Sequence, residues 1–246
     1  MVSRELVLSK IHKLIKLWNE DKIPKLHTHE VHPKLPKSSR ERYLYFTLAP
    51  SLNFQRQSPA LWKSALATWE DPATNYLFFP EKVVATAREK IRTDLRKHKL
   101  SLQENKHTDI WIKLCEGFHT SWQDDPRKLI KDNHSSVVEI IRYLQLNKKQ
   151  YPYLNGSKMA NYWLYILGQY TDIKLKDIEK LSIIPDTHVQ QCSIHLGLTT
   201  EKDDPEKVAQ AWFDILEGTG IAPVTLHPIL WNWSRNNFKP EVSDNL

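Results

Sequence analysis

The sequence predicts an all-α protein of two helical lobes with a cleft between them. Apolar residues recur at helical spacing along most of the chain, and no segment alternates apolar and polar residues as a half-buried strand would. Only 6 glycines stand against 9 tryptophans, too few for a turn-rich β fold. At 246 residues the chain can form one large domain or two small lobes. We read it as a single unit over 1–246, with one lobe over 40–150 and the other over 1–39 plus 151–246.

The elements follow from the amino end. Residues 4–19 place Leu6, Val7, Ile11, Leu14, Ile15 and Trp18 on one helical face with lysines opposite. Residues 21–40, with Pro24, Pro33 and Pro36 among lysines and serines, read as an irregular connector. From Arg40 to Trp69 the apolar residues are dense, which predicts two buried helices bent around Pro50 and Pro59. A basic helix is expected over 80–99, opened by Pro80 and Glu81. Further helices are expected at 106–122, 126–132, 135–147, 158–170 and 187–196. Asp204-Pro205-Glu206 starts a helix whose buried stripe is Val208, Ala211, Trp212, Ile215 and Leu216, and Gly218-Thr219-Gly220 ends it. A last helix runs through Leu226, Ile229, Leu230 and Trp233 to about Phe238.

Composition bounds the function. A net charge of +6 is compatible with a polyanionic partner and does not demonstrate one. Two cysteines, Cys115 and Cys192, exclude a four-thiolate iron–sulfur cluster or Cys₄ zinc site. They suggest no disulfide framework, so a reducing cytoplasm is the expected compartment. The first helix lacks the continuous apolar core of a signal peptide, and no run approaches the roughly 18 apolar residues of a membrane span.

Two segments carry chemistry. Leu154-Asn155-Gly156-Ser157-Lys158 puts a lysine just after a Gly-containing turn, and Ile184-Pro185-Asp186-Thr187-His188-Val189 puts an aspartate directly after a proline. Met159, Ala160, Tyr162, Trp163, Tyr165, Ile166 and Leu167 make the lysine's helix apolar nearly all round, so burial is expected. The helix dipole and desolvation would then both favour the free amine, a nucleophile. The same lysine also reads as a surface residue at a helix start. Asp186 reads as an ordinary N-cap, and a cap remains compatible with catalysis because it leaves one carboxylate oxygen uncovered.

Together these segments resemble the helix-hairpin-helix DNA glycosylase superfamily. There a hairpin presents a catalytic lysine, and a downstream "V-D-x-H/R-V" segment presents a catalytic aspartate. His195-Leu196-Gly197-Leu198 looks like the superfamily's "R-L-G-L" helix ending. Thr219-Gly220-Ile221-Ala222-Pro223, followed by Leu226 and Leu230-Trp231, is similar to the archaeal 8-oxoguanine DNA glycosylase (archaeal GO glycosylase) family. The match covers roughly residues 150–238.

The resemblance implies a bifunctional DNA glycosylase and AP lyase that excises oxidised purine, 8-oxoguanine, from damaged duplex DNA as a monomer without metal or organic cofactor. It implies that Lys158 forms the imine and that Asp186 is the essential carboxylate. Tyr162 and Trp231 would stack on the two faces of the flipped base, with Trp62, Pro185 and His227 also lining it. Asn155, Gly156 and Ser157 would meet a DNA phosphate through exposed turn amides and the helix N-terminus, with Lys148 and Lys149 nearby. Two departures stand out: His227 replaces an acidic residue, and Asn155 replaces the first glycine of the hairpin's Gly-x-Gly. Asparagine tolerates positive φ, so a similar turn is expected around Asn155.

Other features have two readings. The tryptophans Trp62, Trp69, Trp163, Trp212, Trp231 and Trp233 individually read as core, and only the resemblance sets Trp231 apart. Lys82, Arg88, Lys90, Arg92, Arg96 and Lys97 either line a duplex or form a solvated face. His27-Thr28-His29-Glu30-Val31-His32 matches no zinc spacing, so no metal is expected. Asn53 or Gln55 either reaches a base edge or is a buried, satisfied amide. Two rival functions stay open: a helical N-glycosidase acting on a small nucleotide, similar to queuosine-salvage hydrolases around Leu52-Asn53-Phe54, and a non-catalytic DNA-binding protein.

Overall fold

The computed structural model describes residues 3–25, 30–53 and 56–242. Among them are twelve α-helices and no strand, with one isolated bridge between Ser136 and Lys176. The helices are α1 (Arg4–Asn19), α2 (Arg40–Leu48), α3 (Ser58–Glu70), α4 (Pro80–Val84), α5 (Arg88–Lys97) and α6 (Glu104–Trp122). Then come α7 (Pro126–Asp132), α8 (Val137–Leu146), α9 (Ser157–Tyr170), α10 (Thr187–His195), α11 (Pro205–Leu216) and α12 (His227–Arg235). None of them is long and apolar enough to cross a membrane.

Local chemistry sets most boundaries. Ser3, Ser39, Asp125, Ser136, Asp186 and Asp204 each accept a backbone N–H inside the helix they precede, satisfying a donor that has no intrahelical partner. The expected basic helix over 80–99 is in fact α4 and α5. Thr86 Oγ1 donates to the Lys82 carbonyl at 2.7 Å, and Ala87 is extended, which ends one helix and starts the next. The last helix stops at Arg235 rather than near Phe238, because Asn237 and Phe238 turn left-handed.

The chain divides into two units, residues 28–177 and residues 1–27 with 178–246. The lobe boundaries expected near 40 and 150 are therefore displaced, for a physical reason at each end. The connector is tied to the larger unit: Tyr45 Oη donates to the Val31 carbonyl at 2.8 Å, and Arg42 Nη1 to the Leu35 carbonyl at 2.7 Å. At the other end α9 packs on α2 and α8, so the hairpin between α8 and α9 belongs to the larger unit.

In that larger unit α2 is central, with every residue from Arg42 to Leu48 buried. The buried Arg42 also donates through Nε to the Tyr170 carbonyl at the end of α9, so the cation meets carbonyl dipoles instead of water. Tyr45, Phe46, Trp62, Trp69, Phe78 and Trp111 form a contiguous aromatic core, and the Trp111 indole is satisfied by the Leu77 carbonyl at 2.9 Å. Gly117 of α6 admits the chain leading into the hairpin. A Cβ there would lie 3.2 Å from the Gln150 carbonyl oxygen and 3.3 Å from the Tyr151 ring.

The smaller unit closes around α1, α10, α11 and α12. Val7, Ile11 and Leu14 join Val189, Cys192, Val208, Trp212, Ile229, Leu230 and Trp233 in one core. The Arg4 guanidinium donates to the carbonyls of Ile215 and Glu217, at 3.3 and 2.6 Å, which holds α1 against the end of α11.

Candidate active site

In the smaller unit Asp186 occupies the N-cap of α10 in an extended conformation, and its Oδ1 accepts the Val189 N–H at 2.9 Å. The buried Pro185 precedes it, and its carbonyl accepts Gln190 Nε2 at 3.0 Å. The second carboxylate oxygen, Oδ2, lies 3.4 Å from Nε2 of His227, the first residue of α12. Burial pushes the Asp186 carboxyl up. Imidazole contact and charge from His227, the Val189 amide and His188 together outweigh that, so the group sits below its ordinary value and is ionised at neutral pH.

Around this pair stands a polar network. His188 Nδ1 is 3.1 Å from Ser234 Oγ, and that hydroxyl donates to Gln191 Oε1 at 3.0 Å. A hydroxyl has one hydrogen, so His188 Nδ1 is the donor to Ser234. Burial lowers the His188 imidazole, with Arg235 and His227 adding and Asp186 opposing. The edge of His188 meets half-buried Trp231 at 5.4 Å, while the Arg235 guanidinium lies over the Trp231 ring at 4.7 Å. Cys192 is buried beside these groups, and burial pushes its thiol well up, away from thiolate chemistry.

In the larger unit Lys158 is the second residue of α9 and is exposed, so the expectation of a desolvated lysine does not hold. The reason is its place: the apolar residues that bury α9 begin at Ala160, one turn beyond the exposed Ser157 and Lys158. Gly156 caps the helix with ordinary extended dihedrals and no side chain, so it provides no side-chain acceptor for the first-turn amides. The turn before it closes on itself: the amides of Leu154, Asn155 and Gly156 donate to the carbonyls of Pro152, Tyr151 and Tyr153 at 2.8, 3.0 and 3.1 Å. These three turn amides are therefore not exposed donors, contrary to expectation; the first-turn amides of α9 are the group a phosphate would meet. The left-handed residue is Tyr153 (φ 65°) rather than Asn155. Asn155 instead uses its side-chain amide to hold the Tyr151 and Lys148 carbonyls, at 2.6 and 3.2 Å. Lys148 and Lys149 are exposed.

Tyr162, one turn beyond Lys158, is buried with Trp62. The Trp62 indole N–H donates to Tyr162 Oη at 3.3 Å, Ser58 Oγ is equally close, and Tyr162 donates to Glu30 Oε1 at 3.5 Å. Tyr170 donates to the other Glu30 oxygen at 3.0 Å. Burial, then the Glu30 charge, pushes the Tyr162 phenol far up, so it stays protonated. Trp62 is fully buried and its donor engages Tyr162. Glu30 is the residue that sequence reasoning missed here: along the chain it stands among histidines, and only the fold brings it to Tyr162. Of that cluster, His27, Thr28 and His29 lie outside the described residues. His32 packs edge-on against Phe46 and Tyr170, at 5.3 and 5.4 Å. Among the described residues no group of three His, Cys, Asp or Glu is placed to hold a metal. Phe54 and Gln55 also lie outside the described residues, and the Asn53 amide donates its backbone N–H to the Pro50 carbonyl at 2.9 Å.

The basic residues of α5 are largely neutralised by acids. Arg92 pairs with Glu89 and Glu104, Arg96 with Glu104, Lys90 with Asp94, Lys97 with Asp71, and Arg88 with Asp109. This is a mixed-charge surface, the solvated-face reading of the sequence.

The sequence matches no protein-family model and no curated protein sequence. The structure is similar to a trapped endonuclease III–DNA covalent intermediate, an estranged-adenine complex, with a TM-score of 0.62 and 16% identity over 98% of this chain and 90% of that one. It is also similar to a non-covalent endonuclease III–DNA complex, with a TM-score of 0.63 and 18% identity over the same shares. At that identity the likeness establishes a shared helical fold. It does not single out the archaeal GO glycosylases.

Proposed function

We propose that this protein is a DNA glycosylase of the helix-hairpin-helix superfamily that excises an oxidised purine, 8-oxoguanine, and nicks the strand through an associated lyase step. The observation that carries the reading is Asp186, partly buried at a helix N-cap yet kept ionised by His227, in a fold shared with two endonuclease III–DNA complexes. One of those neighbours is a covalent intermediate with DNA, the species that a lysine imine would produce.

The roles follow from chemistry. The damaged nucleotide is extruded at an unstacking cost of a few kcal/mol, least for a lesion. The Asp186 carboxylate stabilises positive charge developing on the sugar as the C1′–N bond lengthens. Lys158, after losing a proton to water, attacks C1′, the base departs with the bonding pair and takes up a proton, and ring opening leaves an imine. Loss of a C2′ proton then breaks the C3′–O bond and nicks the strand. Tyr162 and Trp231 serve as base walls, His227 and Pro185 line the base beside them, Trp62 must release Tyr162 if its indole is to hydrogen-bond the base, and Arg235 must leave one face of Trp231 if that face is used. Asn155, Gly156 and Ser157 bring the first turn of α9 to a phosphate.

Borohydride trapping on an 8-oxoguanine duplex tests the reading. A covalent adduct is expected with the native protein and none with Lys158→Gln; Asp186→Asn should slow base release by about 10²-fold or more while duplex affinity holds. No adduct on any lesion duplex, or one that survives Lys158→Gln, refutes the lysine chemistry. Salt-dependent binding without lesion preference would point to a non-catalytic binder, and turnover of a free nucleotide without an adduct to a small-molecule N-glycosidase.

A further inference from the structure

We propose that His227 is the positioning residue of Asp186, holding Oδ2 so that the carboxylate is ionised and oriented before substrate arrives, and that it thereby sets the acid limit of base release. The inference rests on the reading of Asp186 as the essential carboxylate.

The geometry supplies two restraints from two helices. Oδ1 is held at 2.9 Å by the Val189 amide of α10, as in any N-cap, and a cap alone leaves the other oxygen unrestrained. Oδ2 lies 3.4 Å from His227 Nε2, which comes from the start of α12. The two helices pack on each other, so the imidazole approaches from a rigid support. Pro228 follows His227 directly, in the first turn of α12, and fixes the local backbone. The His227 side chain is 13% exposed and that of Asp186 28%, a setting in which charge–charge contact is weakly screened.

The other charges nearby are few. His188 of α10 acts on Asp186 more weakly than His227 does, and Arg235 of α12 acts on His188 and covers Trp231. Cys192 faces Asp186 but stays a neutral thiol. Contact with the His227 imidazole favours the ionised form of the carboxylate. An acidic residue here would do the opposite and push Asp186 toward its neutral form.

The test is a carboxyl-carbon NMR titration of the full-length protein, read beside the pH profile of single-turnover base release. In His227→Gln the Asp186 midpoint should rise by about one pH unit or more, and the acid limb of base release should rise with it. In His227→Asn, which keeps a shorter polar side chain, the Asp186 midpoint should rise likewise; this second variant decides the matter if His227→Gln fails to fold. Unchanged midpoints overturn the coupling and leave the glycosylase reading intact. A shifted midpoint in a protein that releases no base from any lesion duplex overturns the glycosylase reading and leaves the ionic pairing standing.

Discussion

Replacing His107 with leucine is expected to flatten the acid side of the stability curve. The His107 imidazole is fully buried in α6, where Nδ1 accepts the Leu102 N–H at 3.2 Å and Nε2 has no hydrogen-bond partner among the described residues. Burial, with the charges of Arg56 and Lys106 adding, pulls its pKa from 6.5 to about 4. The folded state therefore requires the neutral ring, and the unfolded chain binds a proton more readily. Stability is fully present above about pH 6.5 and is lost as pH falls toward about 4. At about 1.4 kcal/mol per pH unit, that interval corresponds to roughly 3 kcal/mol, a large share of a typical domain's stability. Urea unfolding of the native protein and His107→Leu, from about pH 7 down to about pH 4, reads the effect. At neutral pH the variant should be less stable by about 1–3 kcal/mol, because the Leu102 amide loses its acceptor. The two curves should then converge or cross on acidification. Parallel curves would refute the reasoning.

Two further outcomes are expected. Gly117→Ala should destabilise by about 1–3 kcal/mol in thermal unfolding, because the new Cβ meets a backbone carbonyl and a ring held by the Trp122 indole at 2.8 Å; a neutral result would mean the hairpin approach is compliant. For duplex binding, Lys148→Ala with Lys149→Ala should lower the salt slope by about 1 to 2, while Arg92→Ala with Arg96→Ala, whose charges already pair with Glu89 and Glu104, should leave it unchanged; the reverse pattern would place the DNA on α5.

Much of the fold was legible because helices are specified locally. Asp204 before Pro205 and Asp186 before Thr187 each announce a helix start, and each does cap its helix, whereas Ser136, expected inside the helix over 135–147, is its cap. The break at Ala85–Ala87 was not legible, since neither Gly nor Pro marks it and the side chain of Thr86 ends the helix. Nor was the exposure of Lys158: periodicity describes the whole of α9 and says little about its first turn. The turn around Asn155 is legible in place but not in mechanism, because spacing does not say which of its residues takes the left-handed position, and Tyr153 does.

The sequence by itself determined the helices, their caps and the presence of a lysine and an aspartate at two helix starts, since those depend on residues within a turn or two. Only the tertiary structure decided what surrounds them. His227 meets Asp186 because α12 packs on α10, and Glu30 meets Tyr162 across 132 positions because the connector is tied down beside α2 and α9. Such contacts are set by side-chain packing between distant segments, and no periodicity or spacing along the chain encodes them.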